Sequence, residues 1–284
     1  MTSILIPIKD TLVSSFLTPQ DILKIPFTPA KYRFNYGEDS RQFGDLRIPE
    51  SNGPYPVLVV IHGGCWTSKM ANIDFMSSFA QAFTEAGIAT WNIEYNCIDN
   101  KSGGWPGTFL DVGKAVDYLK LLSPQYKLDL TKVVVIGHSA GGHLALWTGA
   151  RHKITENSDL YQHDPLKLKA VVNIAGPGDL NLFQNLEEKA CMSKVINLLI
   201  GNMQEHFLQC SPYELLPINT KQILITGEYD LAAPVESMHH YMNKAKDLGD
   251  YIEVVVIKNA AHFEVVDHRT EAWEIIKDTV IELL

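Results

Sequence analysis

The sequence predicts an α/β fold: a mostly parallel sheet of about eight strands, helices on both faces, and a small helical insertion. Three observations carry that prediction. Runs such as Val57 to Ile61 and Val133 to Ile136 are continuously apolar and β-branched, without the alternation of a half-exposed strand. Between such runs lie stretches with apolar residues at helical spacing, closed by glycine or proline. Strand and helix then alternate along most of the chain, the pattern of parallel strands joined by right-handed crossovers.

Taken in order, residues 1–30, with Pro7, Pro19, Pro26 and Pro29, read as an N-terminal arm that packs on the domain or caps a site, and residues 31–284 as one α/β domain. Tyr32 to Tyr36 and Phe43 to Ile48 alternate apolar and polar side chains around Gly37-Glu38-Asp39, which suggests an antiparallel pair at a sheet edge. Val57 to Ile61 is the first buried strand. Phe75, Met76, Phe79, Ala80 and Phe83 mark a helix ended by Gly87, and Ile88 to Tyr95 the next strand. Val112, Ala115, Val116, Leu119 and Leu122 mark a helix with Pro124 just past its end. Lys132 to Ile136, Ala170 to Ile174, Gln222 to Thr226 and Tyr251 to Ile257 are further strands, with helices over Pro234 to Asp247 and from about Thr270. Residues 177–220 break the alternation. With Phe183, Leu186, Val195, Leu198, Leu199, Met203 and Phe207 they are too apolar for a loop and read as a cap-like helical insertion over the strand ends.

Composition excludes several classes. The 284 residues are 46% hydrophobic and 20% charged, enough for a sizeable core. With 24 Lys and Arg against 33 Asp and Glu the net charge is −9, the wrong sign for gripping a phosphate backbone, so no nucleic-acid partner is expected. No apolar run approaches the roughly 20 residues that span a bilayer. The patch Ile4 to Ile8 is too short for a signal-peptide core. Cys65, Cys97, Cys191 and Cys210 are widely spaced and contain no C-x-x-C pair. They are expected to be reduced thiols in a cytoplasmic protein, and no metal ligand set is expected.

The chemistry centres on Val133 to Leu146, where Gly137-His138-Ser139-Ala140-Gly141 matches G-x-S-x-G between a buried strand and an apolar helix. In that motif a sharp turn lifts a serine hydroxyl to the top of a parallel sheet, and small neighbours let strand and helix crowd together. A serine needs a base to take its proton, an acid behind the base, and donors for the oxyanion. The turn after Gln222–Thr226 offers Glu228 and Asp230, and the turn after the last strand offers His262. Asp230 and His262 fall in the order Ser, Asp, His that the motif requires. Glu228 sits too close to the strand end, and Asp267 follows the histidine. His143, one turn along the helix, reads as a packing residue. His62-Gly63-Gly64-Cys65-Trp66 directly follows a buried strand, where backbone amides of Gly63 and Gly64 can join that of Ala140 in an oxyanion hole. Trp66, Trp105, Phe109, Phe183 and Phe263 could line a substrate pocket, though taken singly each suits the core better.

With its H-G-G-x-W and G-H-S-A-G stretches, the chain from about residue 32 onward resembles the α/β-hydrolase superfamily, in particular the esterase and arylformamidase-like branch related to hormone-sensitive lipase. The resemblance implies hydrolysis of a small carboxylic ester through an acyl-serine, without a cofactor. It also implies an alternative, the same machinery acting on an aryl formamide such as N-formylkynurenine. A binding protein on a hydrolase fold that had lost catalysis should lack one of these parts, and the sequence carries them all.

Overall fold

Eight strands form one sheet within residues 16–284, the part of the chain that the computed structural model describes. They are β1 (Tyr32–Asn35), β2 (Phe43–Arg47), β3 (Tyr55–Ile61), β4 (Ala89–Ile93), β5 (Leu128–His138), β6 (Ala170–Ile174), β7 (Lys221–Gly227) and β8 (Ile252–Ile257). Their spatial order is β1-β2-β4-β3-β5-β6-β7-β8. β1 and β2 pair antiparallel with each other, and β2 with β4, while every pairing from β4 to β8 is parallel. The apolar runs occupy the middle, and every residue of β4 and β6 is buried. Ile4 to Ile8 and Pro7 lie outside the described residues.

The helices are α1 (Pro19–Leu23), α2 (Ser77–Glu85), α3 (Gly107–Asp117), α4 (Leu119–Tyr126), α5 (Ala140–Ala150), α6 (Leu180–Phe183), α7 (Glu187–Cys191), α8 (Ile196–Leu199), α9 (Phe207–Cys210), α10 (Pro212–Leu215), α11 (Val235–Asp247) and α12 (Ala272–Leu283). α5 is buried at every position, because it crosses the sheet centre beneath other elements. α6 to α10 are four or five residues each, too short to persist without tertiary contacts. They make up about half of the 177–220 segment.

Two sequence expectations need correction. The single helix over Val112 to Leu122 is two, α3 and α4, and Pro124 lies inside the second. Its ring removes the amide that would bond Lys120 O, and the Ser123 hydroxyl donates to that carbonyl instead. The cysteines are not all reduced thiols. Cys65 and Cys191 form a disulfide across 126 residues, with Cα atoms 5.8 Å apart, while Cys97 and Cys210 are free and buried. Disulfides persist mainly in oxidising surroundings, so the cysteines give no support to a cytoplasmic location. Among the described residues no helix is long and apolar enough to cross a membrane.

Candidate active site

Because β3 to β8 run parallel, the loops that leave their C-terminal ends gather along one edge of the sheet, and the chemistry-bearing residues lie there. His62 to Trp66 follow β3, Glu94 follows β4, Ser139 follows β5, Asp230 follows β7 and His262 follows β8. Neighbouring strands bring the first loop beside the serine turn.

Ser139 adopts φ 55° and ψ −120°, a backbone that a side chain tolerates only when its surroundings enforce it. The enforcement is close packing. A Cβ at Gly137 would fall 2.0 Å from Gly141 O, and one at Gly141 would fall 2.2 Å from Ile61 O. The Ser139 amide donates to Ile174 O at 2.8 Å, and the carbonyl accepts from the Gly142 and His143 amides as α5 begins.

Ser139 and His262 line the same cavity, of about 70 Å3. Its walls include Gly64, Cys65, Met70, Phe75, Phe183, Cys191 and Phe263. His262 Nδ1 donates to Asp230 Oδ2 at 2.8 Å. With that hydrogen committed, a neutral imidazole keeps its lone pair on Nε2, the form in which it can accept a proton. The other Asp230 oxygen accepts from the Ala232 and Ala233 amides, both at 2.8 Å. Burial pushes the Asp230 carboxyl up, but the His262 imidazole and the two amides outweigh it and hold the group below the ordinary carboxylate value. The competing acids face elsewhere: Glu228 accepts from the Asn259 amide, and Asp267 pairs with Arg269.

β8 lies three strands from β5, roughly 14 Å at the usual spacing, so the His262 loop must lean across the sheet. His138, the variable residue of G-x-S-x-G, helps to hold it there. Its Nε2–H donates to His262 O at 2.9 Å, and its ring stacks on Phe75. Burial, together with the neighbouring His262, pushes its imidazole down to about 3, so it stays neutral. The sequence marks this residue only by its place beside the serine.

The loop after β3 carries left-handed backbone at Gly64, Cys65 and Trp66 in succession (φ 96°, 51° and 55°). Gly63 lies so close to the serine turn that a Cβ there would fall 2.8 Å from His138 O and 3.0 Å from Ser139 Cβ. Buried polar contacts hold this shape. His62 Nδ1 donates to Gly63 O at 2.8 Å and His62 Nε2 donates to Glu94 at 2.9 Å. Burial pushes the Glu94 carboxyl up, yet His62, Arg41 and the Tyr95 amide together hold it below the ordinary value. The Gly63 carbonyl and the Gly64 N–H belong to one planar peptide and point in opposite directions. Fixing the carbonyl on His62 therefore fixes the direction of that amide. Glu94 was not read from the sequence as a site residue; the available signal was one carboxylate closing an apolar strand.

The aromatic candidates divide. Phe183 and Phe263 line the cavity, and Trp66, Trp105 and Phe109 do not. Trp66 is buried and donates from Nε1 to His143 Nδ1 at 3.3 Å, Phe109 packs on His143 and Trp147, and Trp105 stacks on His206. His143 passes a hydrogen bond on from Nε2 to Cys210 O at 2.9 Å, and burial pushes its imidazole down to about 4. Among the described residues no group of three or more His, Cys, Asp or Glu side chains is arranged to hold a metal ion.

Comparison with known proteins places this arrangement. Residues 45–244 match the family model described as BD-FAE. Esterase LipC of Mycobacterium tuberculosis is 24% identical over 249 residues, which cover 83% of this chain and 60% of that protein. The probable isoprenylcysteine alpha-carbonyl methylesterase ICMEL1 of Arabidopsis thaliana is 24% identical over 241 residues, covering 80% of this chain and 49% of its own. The chain thus spans 60% or less of these relatives' length. A truncated carbohydrate esterase from gut microbiota superposes with a TM-score of 0.74 at 21% identity, covering 90% of this chain and 98% of that one. Esterase B from Lactobacillus rhamnosis superposes with a TM-score of 0.79 at 16% identity, covering 93% and 89%. The solved structures share the α/β-hydrolase fold. Since the family model takes in well over half of the chain, from β2 through the serine turn and into α11, this chain belongs to the BD-FAE family, on the carboxylesterase branch of the α/β hydrolases.

Proposed function

We propose that the protein is a serine carboxylesterase acting on small esters. Ser139 attacks the ester carbonyl, His262 takes its proton and returns it to the leaving alcohol, and Asp230 orients His262 and stabilises the imidazolium. The amides of Gly63, Gly64 and Ala140 receive the oxyanion, Ala140 at the positive end of α5. Water then attacks the acyl-serine with His262 again as base. The observation that carries this reading is the 2.8 Å His262–Asp230 contact, at a cavity that also holds Ser139 and Gly64. Residues 177–220 act as its cap, through Phe183, Ala190 and Cys191, and from the described part of the N-terminal arm Pro19 also lines it.

A cavity of about 70 Å3 holds a few heavy atoms and suits a short acyl group. That size also admits a formyl group, so N-formylkynurenine belongs in the substrate panel. Both relatives described above are named as esterases, which favours the ester. The test compares turnover of short-chain nitrophenyl esters by the protein and by Ser139→Ala. Loss of turnover in the variant is expected; equal turnover overturns the assignment. Deformylation faster than ester cleavage would move the activity to the amide.

A further inference from the structure

The disulfide was not foreseen in the sequence, and its position is specific. Cys65 belongs to the loop that carries the proposed oxyanion donors, and Cys191 ends α7 in the 177–220 segment. Both line the cavity beside Ser139. The bond is therefore part of the wall that faces the substrate, and it is a covalent tie between the loop and α7. On one side is a loop with left-handed backbone at Cys65 itself. On the other is a five-residue helix, held from within its own segment by Glu187, which accepts the Val195 and Ile196 amides at 2.8 Å each. Phe183, the other large side chain of the segment at the cavity, meets the loop edge-on at Trp66, with ring centroids 5.9 Å apart.

We propose that the Cys65–Cys191 disulfide is the specificity-determining wall of the acyl subsite. It ties α7 to the oxyanion loop, keeps the cavity short, and thereby selects short acyl chains. This rests on the esterase reading. Opening the bond lets α7 move away from the loop, so longer acyl chains enter. The opening step is thiol–disulfide exchange with a dithiol. The Sγ–Sγ bond breaks, Cys65 and Cys191 each end as a thiol with one proton, and the two electrons come from the dithiol, which leaves as its cyclic disulfide. Lining the cavity exposes the sulfur pair to a small reductant, although both residues are otherwise buried.

The experiment has three parts. Protein purified without reductant is unfolded and its thiols are titrated with an aromatic disulfide: only the thiols of Cys97 and Cys210 are expected, and reaction of all four cysteines overturns the proposal. Next, kcat/KM is measured on acetyl to octanoyl nitrophenyl esters for the oxidised protein, the dithiol-reduced protein, and Cys191→Ala. The octanoyl-to-acetyl ratio should rise about tenfold or more on reduction and in the variant, since each methylene excluded from a pocket is worth roughly that factor. Reoxidation should restore the ratio in the natural protein, and the variant should ignore the dithiol. A merely structural bond would lower the rates on all chain lengths alike, and an unchanged ratio overturns the proposal. If Cys191→Ala does not fold, the reduced natural protein carries the comparison. If the oxidised protein cleaves none of these esters, it is the esterase reading that fails, and the tie between loop and segment is then read by trypsin at the exposed Lys189 and Lys194. Faster cleavage on reduction supports the tie, and unchanged cleavage refutes it.

Discussion

Replacing Glu94 with Gln preserves shape and removes one charge, yet several donors converge on this buried carboxylate. His62 Nε2 lies at 2.9 Å, Arg41 Nη2 at 2.7 Å, the Tyr95 amide at 2.9 Å and the Ile73 amide at 3.0 Å. An amide side chain offers one oxygen and an NH2 group. In either orientation its hydrogens face at least one of these donors. His62, no longer opposite a carboxylate, loses the partner that orients its ring, and with it the hold of Nδ1 on Gly63 O. Removing one partner of a buried charged pair typically costs about 3–5 kcal/mol of stability. Catalysis suffers separately. Once the Gly63 carbonyl is free the Gly63–Gly64 peptide can rotate, and the loss of one oxyanion donor costs on the order of 10²–10³ in kcat, or about 2.7–4 kcal/mol. Steady-state kinetics on a short nitrophenyl ester should show kcat falling by that order with KM nearly unchanged, because the donor acts on the transition state. Melting of the variant, followed by circular dichroism, should fall as well. A variant that melts lower but keeps kcat within about twofold would refute the reasoning, since the His62–Glu94 pair would then hold the fold and not the amide.

Asp230→Asn keeps the side-chain shape, but with its oxygen held by the Ala232 and Ala233 amides it turns an NH2 donor toward His262 Nδ1 and so favours the wrong imidazole tautomer; kcat on the same ester should drop by about 10⁴, and a fall of less than tenfold would remove Asp230 from its role. A second prediction concerns acid. His138 and His143 sit at about 3 and 4 in the folded protein and near 6.5 when unfolded, so across that window the unfolded chain binds more protons. Stability should therefore decline as pH falls below 6.5, and His143→Gln should flatten the melting temperature against pH; a natural protein whose melting temperature is level from pH 7 to pH 4.5 would contradict the burial of these rings as neutral groups.

Much of this geometry was legible because it follows from local rules. The β-branched runs, the glycines around Ser139, and the turns after β7 and β8 each announce themselves within a few residues. What stayed hidden depends on contacts that only the folded sheet creates. Cys65 and Cys191 have no spacing signature, since 126 residues separate them and the fold brings them together. Trp66 and Phe109 looked as much like pocket residues as Phe183 and Phe263, because a single aromatic in a loop, at the end of a helix or in a helix too short to show a period carries no pattern to say which way it points. Glu94 read as the end of a strand. Its partners Arg41, His62 and Ile73 come from three other parts of the chain.

The burial of α5 at every position has a consequence for how such a site can drift over evolutionary time. A helix with no wet face offers no position where a substitution is free, so the serine and the strand that feeds it form a stationary reference. Variation then falls on what is hung around that reference: the loop after β3, the His262 turn, and the short helices between β6 and β7. New substrates would be reached by refitting these pieces to an unmoved serine, and a crosslink between two of them limits how far either can be refitted alone.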